Sequence, residues 1–176
     1  TDFSWREFVE RNNNELLGAY GNFVNRTLAF IVRYNDSIIP PGAIEGEIKE
    51  KIDNIYSKVG SKIEDGHFKD ALEIIFDFVR FSNKYYDLTE PWKTRVDSKD
   101  KCNNTLYNCV QIIANLAVLL QPFLPFSSQK ITNWLNLENE WKPQYVREGF
   151  KISDISILFE RLDKKIIEEE RRKLGR

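Results

Sequence analysis

Apolar residues recur along this chain at spacings of three and four, the repeat of an amphipathic helix rather than the alternation of a strand. One stripe runs Leu16, Tyr20, Phe23/Val24, Thr27 and Ile31, and a second Ile44, Ile48, Ile52, Ile55, Val59 and Ile63. A third is Phe68, Leu72, Ile75, Val79, Ser82 and Tyr86, and a fourth Leu106, Val110, Ile113, Ala117 and Leu120. Each lies on a segment of roughly 17 to 25 residues, too long and too regular for strands. Pro40-Pro41-Gly42 and Gly66 break the chain between stripes, and Pro122 and Pro125 bracket the end of the fourth. Short connections between long amphipathic helices favour antiparallel neighbours, so the predicted fold is all-α, an antiparallel up-and-down bundle.

Two shorter helices complete the pattern. Thr89 reads as a cap and Pro91 suits a first turn, which puts Trp92 near the start of a short helix. Ser127-Ser128 can cap another that carries Ile131, Trp134 and Leu135. Residues 137 to 160 lose the periodicity and read as an irregular wrap. Beyond them, Glu168, Glu169 and Glu170 precede Arg171, Arg172 and Lys173, the mixed charge of a solvated helix or linker. The expected division is a bundle over 1–162 and a tail over 163–176.

Composition narrows the function. A chain of 176 residues with 41% hydrophobic and 13% aromatic content suits one domain with a single core. Its 26 basic and 27 acidic residues nearly cancel, so a nucleic-acid role must rest on a few placed contacts rather than on a basic field. Cys102 and Cys109 read as two buried thiols in a reducing compartment rather than a disulfide. With His67 the sole histidine, and no Cys-x-x-Cys, neither a structural zinc site nor a nucleophilic triad is expected, and His67 reads as a surface or capping residue. The chain opens on no charged-then-apolar leader and contains no apolar run approaching ~20 residues, so no membrane partner is expected and a cytoplasmic location is. The lack of any methionine predicts a segment of a longer protein.

Candidate chemistry concentrates on Gly21-Asn22-Phe23-Val24-Asn25-Arg26 and Thr89-Glu90-Pro91-Trp92. With Tyr20 turned to the core, Asn22 and Arg26 project to the opposite side beside Gly18, Ala19, Ala29 and Arg33. The small residues there either leave a groove for a flat ligand or admit a neighbouring helix. At i and i+4, an amide and a guanidinium can grip one base edge together, or Arg26 can simply pair with an acid. Trp92 is either a stacking platform or a core anchor of its turn; Trp5, Trp134 and Trp141 read as core tryptophans. Catalytic residues are not expected.

The ordered set Phe8-Val9-Glu10-Arg11-Asn12, Gly21 to Thr27, Asn83-Lys84-Tyr85, Glu90-Pro91-Trp92, Leu119 to Pro125 and Leu158-Phe159-Glu160-Arg161 resembles the helical anticodon-binding domain of class I aminoacyl-tRNA synthetases, the methionyl type in particular. The resemblance spans about residues 3 to 165. It implies that Asn22 and Arg26 hydrogen-bond splayed bases of a CAU anticodon while Trp92 stacks on the first, with Asn25, Arg33 and Pro91 in support. It also implies the tRNA(Met) anticodon loop as partner, together with a catalytic domain of the same polypeptide. His-Ile-Gly-His and Lys-Met-Ser-Lys signatures are missing, so no cofactor is expected in this segment, and ATP and methionine would bind at that catalytic domain. Tyr20 departs from the aliphatic residue expected at its position. Two other expectations stay open: the equivalent domain of a leucyl, isoleucyl, valyl or cysteinyl enzyme, or a helical protein-interaction module.

Overall fold

A computed structural model describes residues 5–152, with side chains from residue 18 onward. Six helices follow one another: α1 (Trp5–Tyr34), α2 (Gly46–Glu64), α3 (Phe68–Thr89), α4 (Pro91–Asp97), α5 (Lys99–Leu120) and α6 (Pro125–Leu135). Among the described residues the only β pairing is an isolated antiparallel bridge between Ile38 and Lys151. The all-α bundle read from the periodicity is therefore the fold. The division at 162/163, and the outcome for residues 153–160 of the irregular wrap, lie outside the described residues.

Helix α5 runs through the middle and packs against each of the other five. Every residue from Asn108 to Leu120 is buried, the mark of a helix covered on all sides. The stripes meet there: Phe23, Val24 and Ile31 from α1, Ile52 and Val59 from α2, Leu72, Ile75 and Val79 from α3, and Val110, Ile113 and Ala117 from α5 are all inaccessible to solvent. Burying each large aliphatic side chain stabilises the bundle by about 1.5–3 kcal/mol before the opposing chain entropy is counted. Cys102 and Cys109 are two free, buried thiols, as expected.

Amides within this core fix the irregular segments. Asn108 Oδ1 accepts from the Glu45 amide at 2.8 Å, and its Nδ2 donates to Ala43 O at 3.0 Å. One turn on, Gln111 exchanges two bonds with the Val146 backbone, at 2.9 and 2.7 Å. Asn115 does the same with Gln144, at 2.8 and 2.9 Å, and accepts from the Tyr56 hydroxyl at 2.6 Å. A buried amide is costly unless satisfied, so this ladder specifies where both loops lie. Residues 137–152 accordingly wrap the bundle without a helix of their own.

Local features differ from the sequence reading. Thr89 is not a cap: it ends α3, and its hydroxyl donates back to Tyr85 O at 2.8 Å. Glu90 takes the junction in the left-handed region (φ 48°), because the proline after it disfavours another helical residue there. Ser127 and Ser128 do not cap α6 either. Pro125 occupies its first turn with a preset φ, so the helix starts ahead of the serines and both are buried inside it. Trp134 is a core residue, but Trp141 is not: it is 40% exposed, lying edge-on to Tyr56 and donating Nε1–H to Tyr56 O at 3.3 Å. Phe68 leaves the third stripe for the surface because, as the first residue of α3, it has helix on one side only. His67 is exposed at the residue preceding that helix. The side chains of Trp5 and Leu16 fall outside the described set.

Candidate nucleic-acid interface

Helices α1 and α3 lie side by side, and a single amide, Asn83 on α3, organises their shared face. Its Nδ2 donates to Ala19 O on α1 at 3.1 Å. Its Oδ1 accepts from Arg26 Nη2 at 3.0 Å and, more loosely, from Asn22 Nδ2 at 3.4 Å. The two candidates read from the sequence are thus drawn onto one acceptor. Arg26 makes two further contacts with α3: Nη2 donates to Asn83 O at 2.9 Å, and Nη1 to the Asp87 carboxylate at 2.7 Å.

Beneath the guanidinium lies a ring. Arg26 Cζ sits 4.0 Å from the centroid of Tyr86, and the far side of the cluster continues into Trp92, whose ring centroid is 6.1 Å from that of Tyr86 at a tilt of 32°. Tyr86 is buried and Trp92 is 47% exposed. Burial, and to a lesser degree the neighbouring Cys109, pushes the Tyr86 hydroxyl up to about 12, while Arg26 pulls the other way. The ring therefore stays neutral and keeps its electron-rich face for the guanidinium. Trp92 owes its position to Pro91, buried at the first position of α4, whose carbonyl accepts from Cys102 Sγ of α5 at 3.5 Å. An indole held beside the ring of Tyr86 and about half exposed is a platform on which an unpaired base can stack.

Asn22, Arg26 and Trp92 are linked by successive contacts through Asn83 and the buried ring of Tyr86. The simple picture of Asn22 and Arg26 opposite the core is corrected here: α3 covers that side, so Arg26 is largely enclosed while Asn22 remains exposed. Ala19 packs against α3, as the close-packing alternative required, whereas nothing lies within 4 Å of a Cβ placed on Gly18. Arg33 follows Arg26 two turns along α1, exposed, 5.1 Å from the ring of Tyr34. Asn25 is half-buried and makes none of the bonds within the cluster. Asp87 and Tyr86 join the site although the sequence marks neither for it. Tyr86 is legible only as a core position of the third stripe, and Asp87 only from its spacing four residues after Asn83.

Two family profiles match the chain: "Anticodon-binding domain of tRNA ligase" over residues 45–172, and "tRNA synthetases class I (M)" over residues 1–28. Methionine–tRNA ligases of Bacillus cereus (strain 03BB102) and Bacillus anthracis (strain CDC 684 / NRRL 3495) are each 55% identical to it over 175 residues, covering 99% of the chain and 32% of the relative. The chain thus spans about a third of the length of the curated relatives it matches. Its fold is that of Mycobacterium tuberculosis methionyl-tRNA synthetase in complex with methionyl-adenylate (TM-score 0.74, 22% identity, 82% of this chain and 31% of that one). The apo form of the same enzyme matches with a TM-score of 0.73 over 82% of this chain and 32% of that one, at 22% identity. The chain belongs to the family of anticodon-binding domains of tRNA ligases, and within it to the methionyl-tRNA synthetase type.

Proposed function

We propose that this domain reads the CAU anticodon of tRNA(Met) for a catalytic domain elsewhere in the same polypeptide, where ATP and methionine bind. The observation that carries the reading is the unbroken run of contacts from Asn22 through Asn83, Arg26 and Tyr86 to the half-open indole of Trp92. Trp92 stacks on the first anticodon base, worth ~1–3 kcal/mol. Asn22 presents a donor and an acceptor to a base edge, and Arg26, anchored on Asp87 and Asn83, offers its guanidinium to a base that competes for those bonds. Asn25, Arg33 and Pro91 take supporting places, Pro91 by fixing the start of α4. A cytoplasmic place of action goes with charging tRNA for translation. No described helix is long and apolar enough to cross a membrane.

In the full-length protein, Trp92→Ala and Arg26→Ala each lower charging of tRNA bearing CAU by about 10- to 100-fold, the equivalent of one lost stacking or base contact. Methionine activation without tRNA is unchanged. Wild-type charging by both variants overturns the assignment.

A further inference from the structure

Beyond Trp92 lies a second cation–aromatic group, which gives Arg33, so far only a supporting residue of the anticodon reading, a specific place. Tyr34, the last residue of α1, is 38% exposed and is pinned by Phe30 one turn earlier, with ring centroids 4.8 Å apart. Two guanidinium groups share its ring: Arg95 Cζ at 4.1 Å, from α4, and Arg33 Cζ at 5.1 Å. Both arginines are exposed, and neither is paired with a carboxylate among the described residues. This separates them from Arg26, which holds Asp87. Each guanidinium keeps its fork free to donate to an anion, and holding both on one ring brings two such forks within reach of one strand. Arg95 lies three residues after Trp92, on the same face of α4, and Arg33 lies seven residues after Arg26, about 10 Å along α1.

We propose that Arg33 and Arg95, held on Tyr34, form a phosphate-binding site for the RNA strand whose base stacks on Trp92. The site rests on the anticodon reading and adds to it a contact that carries no base information. Nucleic-acid phosphates are the anion that such a placement selects, since a strand stacked on Trp92 continues past Arg95 and a planar fork donates two bonds to the oxygens of a phosphodiester.

The test is a titration of the full-length protein with a CAU anticodon stem-loop and with one altered at the first anticodon base, at several salt concentrations. Arg33→Gln/Arg95→Gln together weaken both RNAs alike, roughly 10-fold at low salt, and flatten the slope of log K against log salt by about 0.7 per phosphate lost. Arg33→Lys/Arg95→Lys keeps most of the slope, because the charges remain. Trp92→Ala instead reduces the preference between the two RNAs and leaves the slope. An unchanged slope and affinity in the double Gln variant, with Trp92→Ala still defective, overturns the phosphate site and leaves the anticodon reading standing. Loss confined to the CAU loop overturns it too, by making these arginines base readers. No effect of Trp92→Ala overturns the anticodon reading itself.

Discussion

Asn83 is the residue whose removal most directly tests how recognition is built, because it touches both α1 candidates and is itself half-buried. Asn83→Ala deletes the bond to Ala19 O at 3.1 Å and the bond from Arg26 at 3.0 Å, each worth about 1 kcal/mol, while the 3.4 Å bond from Asn22 adds little. Alanine recovers up to ~0.7 kcal/mol of helix propensity in α3. The net loss of stability is therefore about 1–2 kcal/mol, enough to lower a thermal midpoint by a few degrees without unfolding the domain. Binding falls for another reason. Arg26 keeps Asp87 and Asn83 O, at 2.7 and 2.9 Å, but loses one of three anchors, and Asn22 loses its bond to α3. Ordering a freed side chain costs roughly 0.5–1.5 kcal/mol, and because Arg26 is freed only in part the two together cost about 1–2 kcal/mol, so a CAU stem-loop should bind about 5- to 30-fold more weakly by fluorescence anisotropy. Wild-type affinity in this variant refutes the positioning argument. So does a loss well beyond ~100-fold, which would mean that Asn83 meets the RNA itself.

Three further outcomes follow from the same geometry. Tyr86 ionises near 10.0 when unfolded but at about 12 in the bundle, so its stabilising contribution is complete below pH 10 and is lost as pH rises toward 12. Tyr56 and Tyr85 are shifted upward by burial in the same sense, and urea midpoints should therefore fall steeply above about pH 10; a flat profile between about pH 9 and 12 would contradict the burial of these hydroxyls. Gly42→Ala places a Cβ 2.6 Å from Tyr107 Cβ and 2.8 Å from its Cγ, so the loop must lift off α5, with a loss of about 1–3 kcal/mol in thermal or urea melts. Burial raises the thiols of Cys102 and Cys109, and iodoacetamide at about pH 8 should modify neither until urea is added; rapid native labelling of Cys109 would place it outside the core.

The bundle is legible because long stripes at helical spacing have few other uses; the buried members of α2 fall where the spacing puts them, whereas α5 is buried on all sides and its single stripe understates that. The site is legible only in part. A wheel drawn on α1 sorts its residues by angle but says nothing of how many neighbours cover it, so it sets Arg26 on an open face where α3 in fact lies. The caps fail for a related reason: a threonine or serine beside a proline suits either side of a helix boundary, and only the proline's preset φ decides which. Trp141 misleads because a large ring is easily equated with burial, whereas its position follows from one bond to the Tyr56 carbonyl. Asn83 and Tyr86 stay hidden as site residues because their role depends on the pairing of α1 with α3, which no local pattern encodes.

The amide ladder of α5 has a mechanical side. Asn115 grips the 137–152 wrap, while Cys102 on the same helix touches the carbonyl of Pro91, next to Trp92. Thirteen residues separate the two, about 20 Å of continuous helix. One helix thus sets the places of both the wrap and the start of α4 that carries Trp92, so the two share a single rigid reference.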